Sequence, residues 1–227
     1  MSARPLSTFA PAPPAPATPR QDAGMSTVNL AARQRMLSQR LLLQTVLAAQ
    51  GSASQLAAAR ASLALFADSQ ARLEGTHRQL DATSAAAVRD LYGGTGGVGP
   101  AVAAFVRQAG EALDAIAANS ARMAEAVAAL AERGDATLDA LNRATSTFDR
   151  IASAQAESTT RELGDIVGSI QRVAREAKVV AFNAQVMAAR AGQHGREFAV
   201  VAQVLSGITQ QVDGLSLRAA TLIGARA

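Results

Sequence analysis

The chain has 227 residues and a formal net charge of +4; 49% of its residues are apolar, but only 3% are aromatic. Alanine-rich, aromatic-poor chains are typical of long helices that pack closely, rather than of β-sandwiches. The absence of cysteine excludes disulfides and thiolate metal sites. No cluster of basic residues is interleaved with aromatic ones, so nucleic-acid binding is not expected.

The hydropathy pattern predicts no membrane span. The longest apolar stretches, such as Leu41–Ala49, are interrupted by polar residues and fall short of the ~20 residues that a spanning helix needs. The N-terminus lacks the charged-then-apolar pattern of a secretion signal. We therefore expect a cytoplasmic protein without membrane contact.

Residues 1–24 are rich in proline and alanine, and they are expected to form a disordered tail because such a segment cannot bury a core. Helix one is predicted to follow, with Ser26 or Thr27 as its N-cap and Gly51 ending it near Gln50. It has two apolar faces, so we expect one face to pack on its own bundle and the other on a second copy of the protein. The first face carries Leu30, Leu37 and Leu41, and the second carries Val28, Ala32, Leu42 and Val46.

Residues 29–40 form a motif within this helix, Asn-Leu-Ala-Ala-Arg-Gln-Arg-Met-Leu-Ser-Gln-Arg. The motif resembles the first-helix box of the type IV pilus (PilJ-type) transducer N-terminal domain, which is similar to that of nitrate/nitrite sensor kinases. The resemblance implies that Arg35 binds nitrate or nitrite across the two-fold axis of a homodimer. Ala32 stands where those sensors have glycine, and Arg33 and Gln39 are the other candidate ligand residues.

The chemistry of Arg35 is compatible with this role. A guanidinium offers a planar fork of donors to a planar anion. Two such groups on an apolar contact would repel each other when empty, and an anion between them would relieve the repulsion. The alternative is that Arg35 reaches solvent or pairs with a carboxylate. For Arg33 and Arg40, solvation or capping is the simpler interpretation.

The middle of the chain is predicted to complete a four-helix sensor domain over residues 25–133. Helix two covers about Ala53–Glu74 and helix three about Leu80–Tyr92, and the lone His77 between them is interpreted as structural. The glycine-rich loop 93–100 lacks the lysine and serine or threonine of a phosphate-binding loop. From Val102 to Ile151 apolar residues recur in steps of three and four, which predicts that helix four continues unbroken into a long arm.

Residues 134–227 are predicted to form an antiparallel coiled-coil hairpin around the tip Ala191–Gly195. Its predicted seam is Leu163, Ile166, Ile170, Val173, Ala177, Val180, Ala184 and Met187 on the rising arm and Phe198, Val201, Leu205, Ile208, Val212, Leu215 and Leu222 on the falling arm. The falling arm is too short to cover residues 134–162, so we expect a second chain to cover them.

The tip resembles the signalling tip of methyl-accepting chemotaxis proteins through Phe182-Asn183-Ala184, residues 188–192, His194-Gly195-Arg196 and residues 198–202. The resemblance implies that the tip contacts a partner, such as a histidine kinase with its coupling protein or a nitrate-response regulator. The candidate partner-binding residues are Asn183, Met187, Arg190, Gln193 and Arg196. The family usually has acidic residues where this chain has Met187, Gln193, Gln203 and Val204.

Two functions follow from the sequence. The first is a non-enzymatic, cytoplasmic sensor that binds nitrate or nitrite between two subunits and relays the signal through the hairpin. The second is a ligand-independent scaffold or adaptor in a chemotaxis or pilus signalling array. No Ser/His/Asp set, carboxylate pair or cofactor motif indicates an enzyme, and neither a cofactor nor a metal is expected.

Overall fold

The computed structural model describes residues 24–224, so residues 1–23 of the predicted tail 1–24 lie outside the described residues. Within that range the chain is all-α and contains no strand, which confirms the predicted fold class. The chain divides into two compact units, one ending at Phe148 and the other beginning at Asp149. The boundary falls inside the longest helix.

The first three helices have nearly the predicted bounds. α1 covers Thr27–Ala49, and the hydroxyl of Ser26 caps it by accepting from the backbone N–H of Asn29 at 3.3 Å. α2 covers Ala53–Gly75, after a turn in which Gly51 has a φ of +96°. α3 covers Ala82–Tyr92, two residues later than predicted at its start, because the carboxylate of Asp81 accepts from Thr83 and Ser84 and begins the helix there.

The predicted unbroken helix from Val102 is wrong. The structure instead has α4 at Val98–Ala117, α5 at Met123–Glu132 and α6 at Gly134–Arg190. Asn119 has a φ of +47°, and the N–H groups of Asn119 and Ser120 donate to the carbonyls of Ile116 and Ala115. This pair of bonds is the Schellman arrangement that ends a helix and turns the chain. Apolar periodicity does not register such a turn, since the spacing resumes in phase after it.

The first unit has one apolar core shared by α1, α2, α4, α5 and the start of α6. The rings of Phe66 and Phe105 meet edge to face, with centroids 5.5 Å apart, and are fully buried. Arg133 Nε donates to Gln108 Oε1, so α5 runs back along α4. Leu141 and Ala144 of α6 also belong to this core. The expectation that a second chain covers residues 134–162 is therefore wrong for the start of α6, where the first unit of the same chain covers the apolar side chains.

The second unit is a helical hairpin, as predicted. The end of α6 leads through a 3-10 turn at Gly192–Gly195 into α7, Arg196–Gly224. Gly192 has a φ of +58°, a conformation that favours glycine at the reversal.

The seam residues were predicted to pack between the two arms of this hairpin. That prediction is wrong for the large apolar residues, which do not lie between the arms. Most of them are exposed on the hairpin surface, as are Val173, Met187 and Leu215 at 62%, 68% and 63%, and Leu205 and Val212 are half-buried. The buried positions recur every seven residues and are small: Ala174, Ala181, Ala188, Gly195, Ala202, Thr209 and Ser216. Small side chains let the arms approach closely, which leaves no room between them for leucine or isoleucine.

Candidate functional site

Arg35, the predicted anion ligand, is half-buried in the first unit. Its Nη1 donates to the amide oxygen Oδ1 of Asn142 on α6 at 3.1 Å. This partner is neutral, so the bond holds the guanidinium in place without neutralising its charge. The sequence offered two alternatives for Arg35, a side chain in solvent or a pair with a carboxylate. The bond to the Asn142 amide differs from both.

The other candidate ligand residues lie in or beside an exposed, mostly apolar stripe on α1. Ala32 is half-buried and Gln39 is exposed, and both belong to this stripe, which follows steps of three and four along α1: Ala32, Met36, Gln39, Leu43 and Val46. Met36 is 56% exposed and Leu43 60% exposed. Arg35 borders one flank of the stripe, and Arg33 lies on the other flank, half-buried. One helix surface therefore gathers all four candidates.

A row of polar residues, which sequence reasoning did not single out, lies between α1 and α2. Gln34 is fully buried, and its Nε2 donates to the carbonyl of Phe66 at 3.1 Å and to Gln70 Oε1 at 3.2 Å. Gln70 Nε2 in turn donates to Glu74 Oε1 at 3.0 Å. Gln34 follows Arg33 in the motif, but its burial could not be read from an amphipathic pattern that places polar residues outside.

Tyr92 lies close to this row. Its hydroxyl and Gln34 Oε1 are the buried side-chain atoms within residues 24–224 that have no hydrogen-bond partner. Burial, followed by the nearby Glu74 carboxylate, raises the pKa of Tyr92 well above its usual value of 10.0. The hydroxyl is therefore neutral under all physiological conditions.

The five candidate partner-binding residues all lie at the closed end of the hairpin. Asn183, Met187 and Arg190 are exposed on α6, and Gln193 and Arg196 are exposed in and after the turn. The turn that presents them depends on Gly195, because a Cβ there would lie 2.1 Å from the carbonyl oxygen of Ala188. The structure thus brings these five residues together at the surface.

An apolar groove of about 550 Å³ lies along one side of the hairpin. Residues of both arms line it, including Ile170 and Val173 of α6 and Ile208 and Val212 of α7. These are residues of the predicted seam, which therefore forms an open surface of the hairpin and not its interior.

Between residues 24 and 224, no group of three or more histidine, aspartate or glutamate side chains is placed to hold a metal ion. No helix in the same range is both long and apolar enough to cross a bilayer.

Two family models match the chain, one over the segment with the α1 stripe and the other over the segment with the hairpin groove and tip. The model of the type IV pili methyl-accepting chemotaxis transducer N-terminal region matches residues 17–95, and the model of the methyl-accepting chemotaxis protein signalling domain matches residues 131–223. The chain combines a PilJ-type segment with a chemotaxis signalling segment. The PilJ-type segment contains Arg35 and the α1 stripe, and the signalling segment contains the groove and the tip.

The chain is also similar to curated chemoreceptors. It is 31% identical over 172 residues to methyl-accepting chemotaxis protein NahY of Pseudomonas putida. The aligned region covers 71% of this chain and 28% of that protein. It is 40% identical over 60 residues to chemoreceptor McpA of Caulobacter vibrioides, covering 26% and 9% of the two chains. The chain thus spans less than a third of the length of these relatives. No solved structure matches it.

Proposed function

We propose that this protein is a non-enzymatic signal-transduction protein that works as a homodimer and presents its hairpin tip to a signalling protein. The matches to a transducer segment and a chemotaxis signalling segment support this proposal. The observation that carries it is the exposed apolar groove, because such a surface in water calls for a partner.

A second copy of the chain is the occupant that fits this groove. The seam residues alternate in steps of three and four on both arms, so two grooves placed face to face would interdigitate as a four-helix coiled coil. The hairpin alone buries only small residues between its arms. Each exposed large side chain contributes about 1.5–3 kcal/mol when buried, so most of the hydrophobic stabilisation of this unit would come from the dimer.

The stripe on α1 supplies a second contact of the same kind. Met36 and Leu43 are seven residues apart and more than half exposed, and Val46 continues the row. A helix that carries such a row on its outer side packs favourably against the same row of a second subunit. Both units of the chain therefore carry a self-complementary apolar surface.

Introduced cysteines test the dimer, since the chain has none of its own. Ile208→Cys places a thiol in the groove, and Gln210→Cys places an exposed thiol on another face of α7. We expect rapid disulfide crosslinking of Ile208→Cys only, and a sedimenting mass twice the chain mass of 23.2 kDa. A monomer at micromolar concentration, or equal crosslinking of both variants, would contradict the proposal.

Nitrate or nitrite binding at Arg35 is the second candidate, and the contact with Asn142 favours it. A half-buried guanidinium whose hydrogen-bond partner is a neutral amide keeps its charge available for a small anion. Its place beside the α1 stripe would bring two such groups near each other in a dimer.

Calorimetry distinguishes this sensor from the ligand-independent scaffold. We expect heat on adding nitrate or nitrite to the dimer, lost in Arg35→Ala and kept in the exposed control Arg40→Ala. No heat from either anion would leave the scaffold in a chemotaxis or pilus array as the function, since dimerisation and tip contacts do not depend on the anion.

A further inference from the structure

α1 carries large apolar side chains on two opposite sides, and only one of these sides packs inside the first unit. Leu30, Leu37 and Leu41 are buried on the inner side, whereas Met36 and Leu43 of the α1 stripe are more than half exposed. The hydrophobic effect is non-directional and scales with apolar area, so by itself it distinguishes poorly between two such sides. Another feature of the inner side therefore decides which side of α1 faces the core.

The inner side differs from the stripe by its buried hydrogen bonds to α2. Gln34 is fully buried, and its Nε2 donates to the carbonyl of Phe66 at 3.1 Å and to Gln70 Oε1 at 3.2 Å. Ten residues further along α1, Gln44 Oε1 accepts from Ser62 Oγ at 2.7 Å, and both of these residues are buried. Ten residues span ~15 Å of helix, so hydrogen bonds hold α1 against α2 at two separate points.

The bonds of Gln34 exist in one orientation of α1 only. Leu43 follows Gln34 by nine residues, which is ~2.5 turns, so a half-turn of α1 that brought Leu43 inside would bring Gln34 to the surface. Gln39, the polar residue of the stripe, lies ~7.5 Å from Gln34 along the helix axis, too far to take over the bond to Gln70. Because Gln70 is only 6% exposed, its amide oxygen would then be buried without a donor, which is unfavourable.

The same hydrogen bonds are a weak source of stability. Among the described residues, Gln34 Oε1 is one of the buried side-chain atoms that have no hydrogen-bond partner. A partly satisfied polar network stabilises less than well-packed apolar side chains of the same shape. In a contact between helices, a buried polar residue can instead specify one packing among several, at a cost in stability. The polar row between α1 and α2 is thus suited to select an orientation.

We propose that Gln34 and Gln70 are positioning residues that select the side of α1 turned to the core. Gln44 and Ser62 have the same role at the other end of the contact. Together they keep the stripe with Met36 outward, where a second subunit can pack on it. The use of the stripe rests on the proposed function, whereas the orientation of α1 is a property of a single chain.

Methionine substitutions test the proposal, because they remove the hydrogen bonds and keep side chains of similar length. We expect Q34M/Q70M to be at least as stable to urea as the parent chain. Ser38 is on the inner side and only 3% exposed, so the near-isosteric Ser38→Cys reports the orientation of α1 through its rate of thiol labelling. In Q34M/Q70M this rate should rise about tenfold or more, because a turned α1 exposes position 38. Q44M/S62A should raise it as well.

Two controls separate a turned helix from a loosened core. Ala112 of α4 is fully buried, and Ala112→Cys should keep its slow labelling in Q34M/Q70M. Q50M/Q79M makes the same chemical change at two exposed glutamines and should leave the labelling of Ser38→Cys unchanged. Unchanged labelling of Ser38→Cys in Q34M/Q70M would overturn the proposal, and so would an equal rise at position 112.

Met36→Cys measures the use of the stripe separately. Disulfide crosslinking between two subunits through position 36 is expected in the parent chain, and it should fall about tenfold or more in Q34M/Q70M. Crosslinking that is absent from the parent chain would contradict the α1 contact of the proposed dimer. Faster labelling of Ser38→Cys in Q34M/Q70M would still support the positioning role in that case, so the two failures are distinguishable.

Discussion

Ala188 and Gly195 pack against each other where the hairpin closes, so tightly that a Cβ on Gly195 would lie 2.1 Å from the carbonyl oxygen of Ala188. Both residues belong to the row of small buried residues, spaced seven apart, along which the two arms meet. Their contact is the one nearest the turn. The large apolar residues are consequently displaced to the hairpin surface, where they form the groove. The proposed dimer and the exposed tip both depend on this choice of small residues between the arms.

Gly195→Ala is expected to destabilise the hairpin by about 2 kcal/mol or more, because the new methyl group forces the arms apart. Gly207→Ala is the matched control, since a Cβ at Gly207 meets nothing within 4 Å. It should stabilise α7 by about 0.5–1 kcal/mol through helix propensity. Urea unfolding followed by circular dichroism measures both, and equal effects would disprove the close contact.

Ala181→Leu tests the small-residue contact further from the turn. Ala181 is fully buried, so a leucine there overpacks the interior of the hairpin and should cost about 1–3 kcal/mol. Ala189 is exposed on the same helix, and Ala189→Leu should change stability by less than about 0.5 kcal/mol. A tolerated leucine at position 181 would mean that the arms are not held by this face.

Asn142→Asp tests the anion-binding candidate without removing Arg35. The new carboxylate would pair with the guanidinium and neutralise it, so nitrate affinity should fall by about tenfold or more. The fold should be unaffected, because the side chain keeps its size and its acceptor oxygen. Titration calorimetry with nitrate measures the affinity, and undiminished binding would place the anion elsewhere.

Asn119 offers a test of the turn between α4 and α5. Glycine adopts its φ of +47° without steric cost, so Asn119→Gly should leave the first unit at least as stable. Asn119→Val should destabilise it, since a β-branched residue is strained in this conformation. Thermal unfolding of the three proteins gives the order, and a valine variant as stable as glycine would contradict the turn.

Tyr92 predicts how stability depends on alkaline pH. Its pKa is higher in the folded than in the unfolded chain, so folding favours the neutral hydroxyl. The contribution is constant below the unfolded value of 10.0 and is lost as pH rises above it, by at most about 1.4 kcal/mol per pH unit. Tyr92→Phe should remove this loss and keep or raise stability at neutral pH. Because Tyr92 is the sole tyrosine, absorbance at alkaline pH follows its ionisation directly.

Much of the fold could be predicted because its signals are local. The Ser26 cap and Gly51 bound α1, and the glycines at 192 and 195 mark the reversal of the hairpin. These features depend on backbone conformation within a few residues. The break at Asn119 could not be predicted in the same way, because asparagine in a left-handed conformation is uncommon and the apolar spacing is in phase on both sides of it.

Less of the candidate sites could be predicted. The motif around Arg35 indicated one surface of α1 as a candidate site, which stays a prediction, and the bond of Arg35 to Asn142 joins residues 107 positions apart. The burial of Gln34 and the raised pKa of Tyr92 likewise depend on groups from three different helices. Spacing along the chain carries no information about such partners.

By itself, the sequence determined that this protein is helical, where the first helices and the hairpin turn lie, and which residues are exposed at the tip. The tertiary structure alone decided that the hairpin closes on its alanines and that the seam of larger side chains stays open. The physical reason is that periodicity shows which residues share a face of a helix. Which face packs inside one chain depends on how closely two helices can approach, and that is a property of the pair.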